Sequence, residues 1–305
     1  MKIYFDNVNF SSSTGPNTFG SRLANELSLN HGAKIVGPKD NYDIFLCFIE
    51  PTQKPKNNAK FCQRLDGIWF KPEQFDSHNQ LIKWAYRQAD GVIWQSEFDK
   101  SMTTKWWGDR MGIVIHNGID LKRVEISEDI KQIKNHYNRI FVCAANWHRQ
   151  KRLKENIELF LSTAEDNDVL FVLGNSPDEK INDSRVIYAG HLSHSECLQL
   201  YSVADWMIHL AWLDHCPNVV VEALSQGCPV ICTDSGGTKE IVKSNGAIIP
   251  ELKQYEFELC DFDNPPAINV SGKLAQKINV DNSHLDIREC AKKYMSFFNL
   301  LRGQQ

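Results

Sequence analysis

The chain has 305 residues, 42% hydrophobic and 24% charged, with a formal net charge of -4. That is an ordinary globular balance, with length for about two domains. The slight acidity and the lack of clustered Lys and Arg exclude nucleic acid as a main partner, and no window reaches the ~18 consecutive apolar residues of a membrane helix.

Strand-length apolar runs alternate with helix-like segments from end to end. Residues 2–5 read as a strand and 21–29 as a helix, with Leu23 and Leu27 four apart. Strands are expected at 44–49 and at 61–65, before the turn signal Asp66-Gly67. A helix at 80–89, a strand at 91–94, a helix capped by Ser96 and a strand at 113–116 follow. Residues 122–139 are mostly polar and read as an interdomain linker. A second series then begins, with strands at 140–144, 169–173, 186–189, 206–210 and 229–233. Between them lies a helix at 193–203, signalled by Ser193 and Glu196 as a capping box and by Leu192 and Cys197 as a hydrophobic staple. Another runs from Asn218 to Ser225, and the last, from 291 to 301, puts Tyr294, Phe297, Phe298 and Leu301 on one face. Such alternation indicates an α/β protein with two parallel sheets, each Rossmann-like, and ligands beyond the C-terminal strand ends. The expected domains are 1–121 and 122–290, with 291–305 as a helix packing back toward the first.

The start, MKIYFDNVNF, shows no charged segment leading into an apolar one, so no signal peptide is expected. The nine cysteines show no CxxC pair. They read as reduced thiols in the cytoplasm, without a zinc site.

The segment WMIHLAWLDHCPNVVVEALSQGCPVICTDSGGTKEI is the richest in chemistry. A strand ends near Leu210, and the following loop carries Asp214. Pro217 stands where a helix begins, its missing N–H harmless in the first turn. The amides of Asn218 and Val219 then mark a helix N-terminus suited to a phosphate. Glu222 lies eight residues after Asp214, and Gly236-Gly237 follows the next strand, where glycine lets a ligand approach the backbone.

This segment resembles the signature of glycosyltransferase family 4, the retaining group 1 glycosyltransferases of GT-B fold. It carries that family's E-x7-E region, G-x-P-V-[IV] and D-x-G-G-x-x-E loop. YAGHLSHSECLQLYSVADWMIH, WHRQKRLKENIELF and QSEFDKSM…IVIHNGID are similar to further family stretches, so the likeness covers residues 92–249. The resemblance implies two Rossmann-like domains facing across a cleft, with the acceptor in the first and the donor in the second. It implies a metal-independent hexosyltransferase that needs no cofactor, the donor being a UDP-sugar or a GDP-sugar. The acceptor would be a glycan or lipid-linked glycan, with peripheral contact at the cytoplasmic membrane face left open. Glu222 would hold the donor ribose, Asp214 the donor sugar near its anomeric centre, and Lys151 the diphosphate. Gly15, in STGPNTFG, would lay a loop amide against the phosphates, and Gly236 and Gly237 would border sugar and phosphates. Base selectivity would rest on the loops around Leu192 and Gly174.

Two positions depart from the family pattern. Asp214 replaces the usual Glu and loses one methylene of reach. Asn146 replaces a phosphate-binding Arg, with Arg149 or Arg152 as candidate substitutes. Asp66 reads two ways: as a contact to donor sugar or acceptor proton, or as a cap of its own turn. Trp84, Trp106 and Trp107 read as core rather than as an acceptor or membrane patch. The alternative functions are a nucleotide-sugar-binding protein without turnover and a nucleotide-sugar epimerase. An NAD-dependent oxidoreductase is disfavoured because no G-x-G-x-x-G follows the first strand.

Overall fold

The computed structural model describes residues 1–12, 14–177, 180–270 and 278–303. It divides into two compact units. Unit 1 comprises residues 1–120, 256–261 and 285–305; unit 2 comprises 121–255 and 262–284.

Unit 1 runs β1 (Lys2–Asp6), α1 (Gly15–Asn30), β2 (Lys34–Ile35), β3 (Ile44–Phe48), β4 (Lys60–Leu65), α2 (Pro72–His78), α3 (Gln80–Gln88), β5 (Gly91–Trp94), α4 (Glu97–Trp107) and β6 (Gly112–Val114). Unit 2 runs α5 (Glu128–His136), β7 (Ile140–Ala145), α6 (Leu153–Thr163), β8 (Val169–Gly174), β9 (Val186–Gly190), α7 (His194–Val203), β10 (Trp206–His209), α8 (Asn218–Ser225), β11 (Val230–Thr233), α9 (Thr238–Val242) and β12 (Gly246–Ile249). The chain then returns to unit 1 as α10 (Ile287–Leu301).

Both sheets are parallel throughout, so the α/β alternation read from the sequence is present. Every residue of β3, β5, β10 and β11 is buried. Strands buried on both faces read as unbroken apolar runs, which is why IFLCF and VICT carry no polar alternation. In unit 1 the order is β2-β1-β3-β4-β5-β6. In unit 2 it is β12-β11-β10-β7-β8-β9, so strand order reverses between β7 and β10. A crevice at the C-terminal ends of such a strand pair is where α/β sheets bind ligands. The loops after β7 and β10 carry Lys151 and Asp214.

The core of unit 1 joins Phe19, Leu23 and Leu27 of α1 to Tyr294, Phe297, Phe298 and Leu301 of α10. The core of unit 2 centres on Phe141, Phe160, Leu170, Ile208 and Ile231.

Residues 122–139 are not a bare linker. Ser127 accepts a hydrogen bond from the Ile130 amide and caps α5, no residue of which is buried. Its apolar stripe is short, with Ile130 and Ile133 half-buried on one side amid polar and charged residues.

Candidate functional site

At the C-terminal ends of β7 and β10 the loops of unit 2 bring charged side chains together. After β7 a short 3-10 turn, Arg149–Lys151, presents Lys151, whose Nζ pairs with Asp214 Oδ2. The same Asp214 oxygen meets His209 Nε2 at 3.1 Å. His209 closes β10 and is 5% exposed. Burial would push the Asp214 carboxyl up; Lys151 and the His209 hydrogen bond outweigh it and hold the group well below the usual carboxylate range. Burial likewise pulls the His209 imidazole below its ordinary value, against the opposing pull of Asp214. The arrangement is a cation and a neutral imidazole converging on one ionised carboxylate.

The Asp214 backbone is clamped as firmly as its side chain. Leu213 before it adopts φ 55°, a left-handed conformation rare for a non-glycine residue. The Gly237 amide donates to the Asp214 carbonyl at 2.8 Å. Gly236, at φ 68°, packs so tightly that a Cβ there would lie 2.4 Å from the Asp214 carbonyl oxygen. Gly236 therefore admits the Asp214 loop itself.

Pro217 stands one position earlier than expected, as the N-cap of α8, with Asn218 and Val219 as the first helical residues. Pro217 itself contributes no capping side chain. One turn further in, Glu222 is 7% exposed and its Oε1 lies 3.2 Å from His194 Nε2. His194 opens α7, whose Ser193–Glu196 capping box is complete. Leu192 is partly buried just before it.

Arg149 is exposed in the loop after β7, near the equally exposed Asn146. Arg152 is not available to a phosphate as its candidate role required. It is 1% exposed and bonds Glu251 through both guanidinium ends, at 2.6 and 2.9 Å. It also donates to the carbonyls of Leu210 and Pro266 at 3.3 and 2.8 Å. All of its geometry points into the body of unit 2, bracing the Asp214 loop from behind.

In unit 1, Gly15 is the first residue of α1 rather than part of the preceding loop. Asp66 follows β4 and pairs with Arg64, which is 1% exposed and sits 4.5 and 4.7 Å from the ring centroids of Phe19 and Phe48. Arg64 also donates to Asn117 at 2.6 Å, and Asn117 to Gln95 at 3.2 Å. Asp66 thus rests on a buried polar layer at the C-terminal strand ends of unit 1. Trp106 donates to the Phe257 carbonyl at 3.0 Å and Trp107 stacks edge-on with Tyr86, whereas Trp84 is 38% exposed.

His209 and His194 are the members of the unit 2 constellation that sequence reasoning passed over. His209 reads as strand core, and its polarity at a strand end five residues before Asp214 is the signal that could have found it. His194 carries no such signal, since its partner lies 28 positions away. Among the described residues no helix is long and apolar enough to cross a membrane.

Residues 125–256 match the family model described as glycosyl transferases group 1. N-acetyl-alpha-D-glucosaminyl L-malate synthase of Bacillus anthracis is 25% identical over 183 residues, 55% of this chain and 47% of that protein. The chain thus spans about half the length of the curated relatives it matches. Among solved structures, Anabaena Alr3699/HepE in complex with UDP superposes with a TM-score of 0.66 at 16% identity, covering 98% of this chain and 100% of that one. Sucrose-phosphate synthase from Thermosynechococcus elongatus gives a TM-score of 0.66 at 15% identity, over 83% and 86% of the two chains. The shared architecture is GT-B, with two parallel α/β units.

Proposed function

We infer that this chain, whose residues 125–256 belong to the glycosyl transferases group 1 family, transfers a hexose from a nucleoside diphosphate sugar to a glycan or lipid-linked glycan, with retention and without a metal. The observation that carries the reading is the Lys151–Asp214–His209 cluster at the C-terminal ends of β7 and β10, with Asp214 four residues before the N-terminus of α8.

Cleaving a glycosyl diphosphate leaves positive charge at the anomeric carbon and negative charge on the departing phosphate. Lys151 and the first-turn amides of α8 supply fixed positive charge for the phosphate. Asp214, kept ionised by its neighbours, faces the developing oxocarbenium charge. The same cation and amides do the work that a bound Mg²⁺ would do, which supports the metal-free reading. Glu222 takes the ribose, and the Gly15 end of α1 contributes amides to the phosphates. Asp66, held by Arg64, touches donor sugar or acceptor hydroxyl. The donor is UDP- or GDP-linked, a choice supported by the UDP complex of the Anabaena neighbour. A cytoplasmic setting agrees with nine cysteines that are all free thiols.

The test is incubation with UDP- and GDP-hexoses and oligosaccharide acceptors, with and without EDTA, with the product anomer read by NMR. The expected result is EDTA-resistant transfer with the anomeric configuration of the donor kept. Nucleotide binding without transfer to any acceptor would favour the non-catalytic alternative, and an altered sugar without acceptor would favour the epimerase. An inverted anomer or loss of activity in EDTA would overturn the corresponding part of the reading.

A further inference from the structure

We propose that His194 is a positioning residue that sets Glu222 to read the ribose of the donor nucleotide. The inference rests on the donor-site reading of Glu222 and adds a residue that neither the motif nor the family match brings in.

Glu222 is a carboxylate on an otherwise apolar stretch of α8, with Val220, Val221, Ala223 and Leu224 all 0% exposed around it. A carboxylate in such surroundings needs a donor beside it. His194 provides one across the α7–α8 packing, with its Nε2 3.2 Å from Glu222 Oε1. The contact is asymmetric. The His194 side chain is 52% exposed and that of Glu222 10%. A solvated imidazole that hydrogen-bonds a sunken carboxylate fixes that carboxylate's rotamer and leaves its own ring face turned outward. The backbone beneath it is pinned at both ends, because His194 lies within the Ser193–Glu196 capping box. An ionised carboxylate accepts at two oxygens and about four lone-pair sites. The bond to His194 fixes the direction from which the carboxylate accepts a further donor. Leu192 stands two residues before His194 on the same loop, so the apolar contact expected for the base and the polar contact for the sugar come from one rigid corner of unit 2.

The expected consequence is selectivity rather than chemistry. Calorimetric affinities of UDP and GDP, and of their 2′-deoxy counterparts, are measured on wild type, His194→Ala and His194→Gln. Wild type prefers the ribonucleotide. In His194→Ala that preference falls by about tenfold, the size of a hydrogen bond to a charged group, while the deoxynucleotide affinity changes little. His194→Gln, which keeps an N–H donor, restores part of the preference. A ribose preference unchanged in His194→Ala, in a protein that binds nucleotide normally, overturns the proposal and leaves the donor site standing. Equal loss of ribo- and deoxynucleotide affinity also overturns it, assigning His194 a merely structural role. Failure of wild type to bind either diphosphate overturns the donor-site reading and this inference with it.

Discussion

Replacing Arg152 by Ala separates bracing from phosphate binding. The Arg152 and Glu251 side chains are 0% and 1% exposed, joined by two bonds of 2.6 and 2.9 Å. Truncating the arginine strands Glu251 as a buried charge, with the Ser235 hydroxyl at 3.0 Å among its remaining donors. Breaking one side of a buried pair costs about 3–5 kcal/mol. For a unit of this size that lowers the melting temperature on the order of 10 °C. The carbonyls of Leu210 and Pro266 lose a donor as well, which places the cost toward the upper end. Arg152→Met combined with Glu251→Leu removes both charges and is expected to recover most of the stability, since a buried ion pair is often replaceable by apolar volume. The assay is thermal and urea unfolding followed by fluorescence, with UDP and GDP affinity measured on the folded fraction. A loss under about 1 kcal/mol in Arg152→Ala, together with a large loss of nucleotide affinity, would refute the bracing role and return Arg152 to the phosphates.

Other perturbations reach the same loop. Gly236→Ala combines a left-handed φ of 68° with a Cβ 2.4 Å from the Asp214 carbonyl oxygen. It is expected to destabilise unit 2 by about 1–3 kcal/mol and to lower kcat in the transfer assay more than nucleotide affinity; wild-type stability and rate would contradict the clamp. His209 has a folded pKa below its unfolded one, so only the unfolded chain takes up this proton as pH falls through about 6.5. Its contribution to stability is complete above that pH and is lost as pH falls toward the folded value, with a slope of at most ~1.4 kcal/mol per unit. In pH-dependent unfolding, His209→Gln is expected to lose part of this acid slope; profiles that stay parallel from pH 7 to 5 would contradict it. Lys151→Ala is expected to cut transfer by about 100-fold or more, as for loss of one transition-state charge partner, and an unchanged rate would remove it from the site.

What the sequence reveals and hides follows from the range of the interactions. The capping box of α7 is legible because Ser193 and Glu196 are three residues apart and each satisfies the other's orphan amide. The strands are legible because burial on both faces writes an apolar run into the chain. By contrast, α5 is obscured because its apolar stripe is short, with Ile130 and Ile133 set amid polar and charged residues and neither fully buried. Arg152 looks like a phosphate ligand because its partner Glu251 is 99 positions away. The glycine at 236 suggests ligand access, while the atom that forbids a Cβ belongs to a loop 22 residues upstream. The chemistry of Asp214 and Glu222 is legible as motif; His209 leaves a local trace five residues before Asp214, whereas His194 meets Glu222 through packing that no local pattern encodes.

The central claim, a nucleoside diphosphate site centred on Glu222 and Lys151 in unit 2, is tested most directly by thermal shift of wild type and Glu222→Ala. The ligands are UDP, GDP, ADP and NAD, each with and without EDTA. A ligand at 100 times its dissociation constant adds about 2.7 kcal/mol, a rise of roughly 5–10 °C. The account predicts that rise in wild type with UDP or GDP, unaffected by EDTA and largely lost in Glu222→Ala. A rise with NAD alone, or one that Glu222→Ala retains in full, would contradict it.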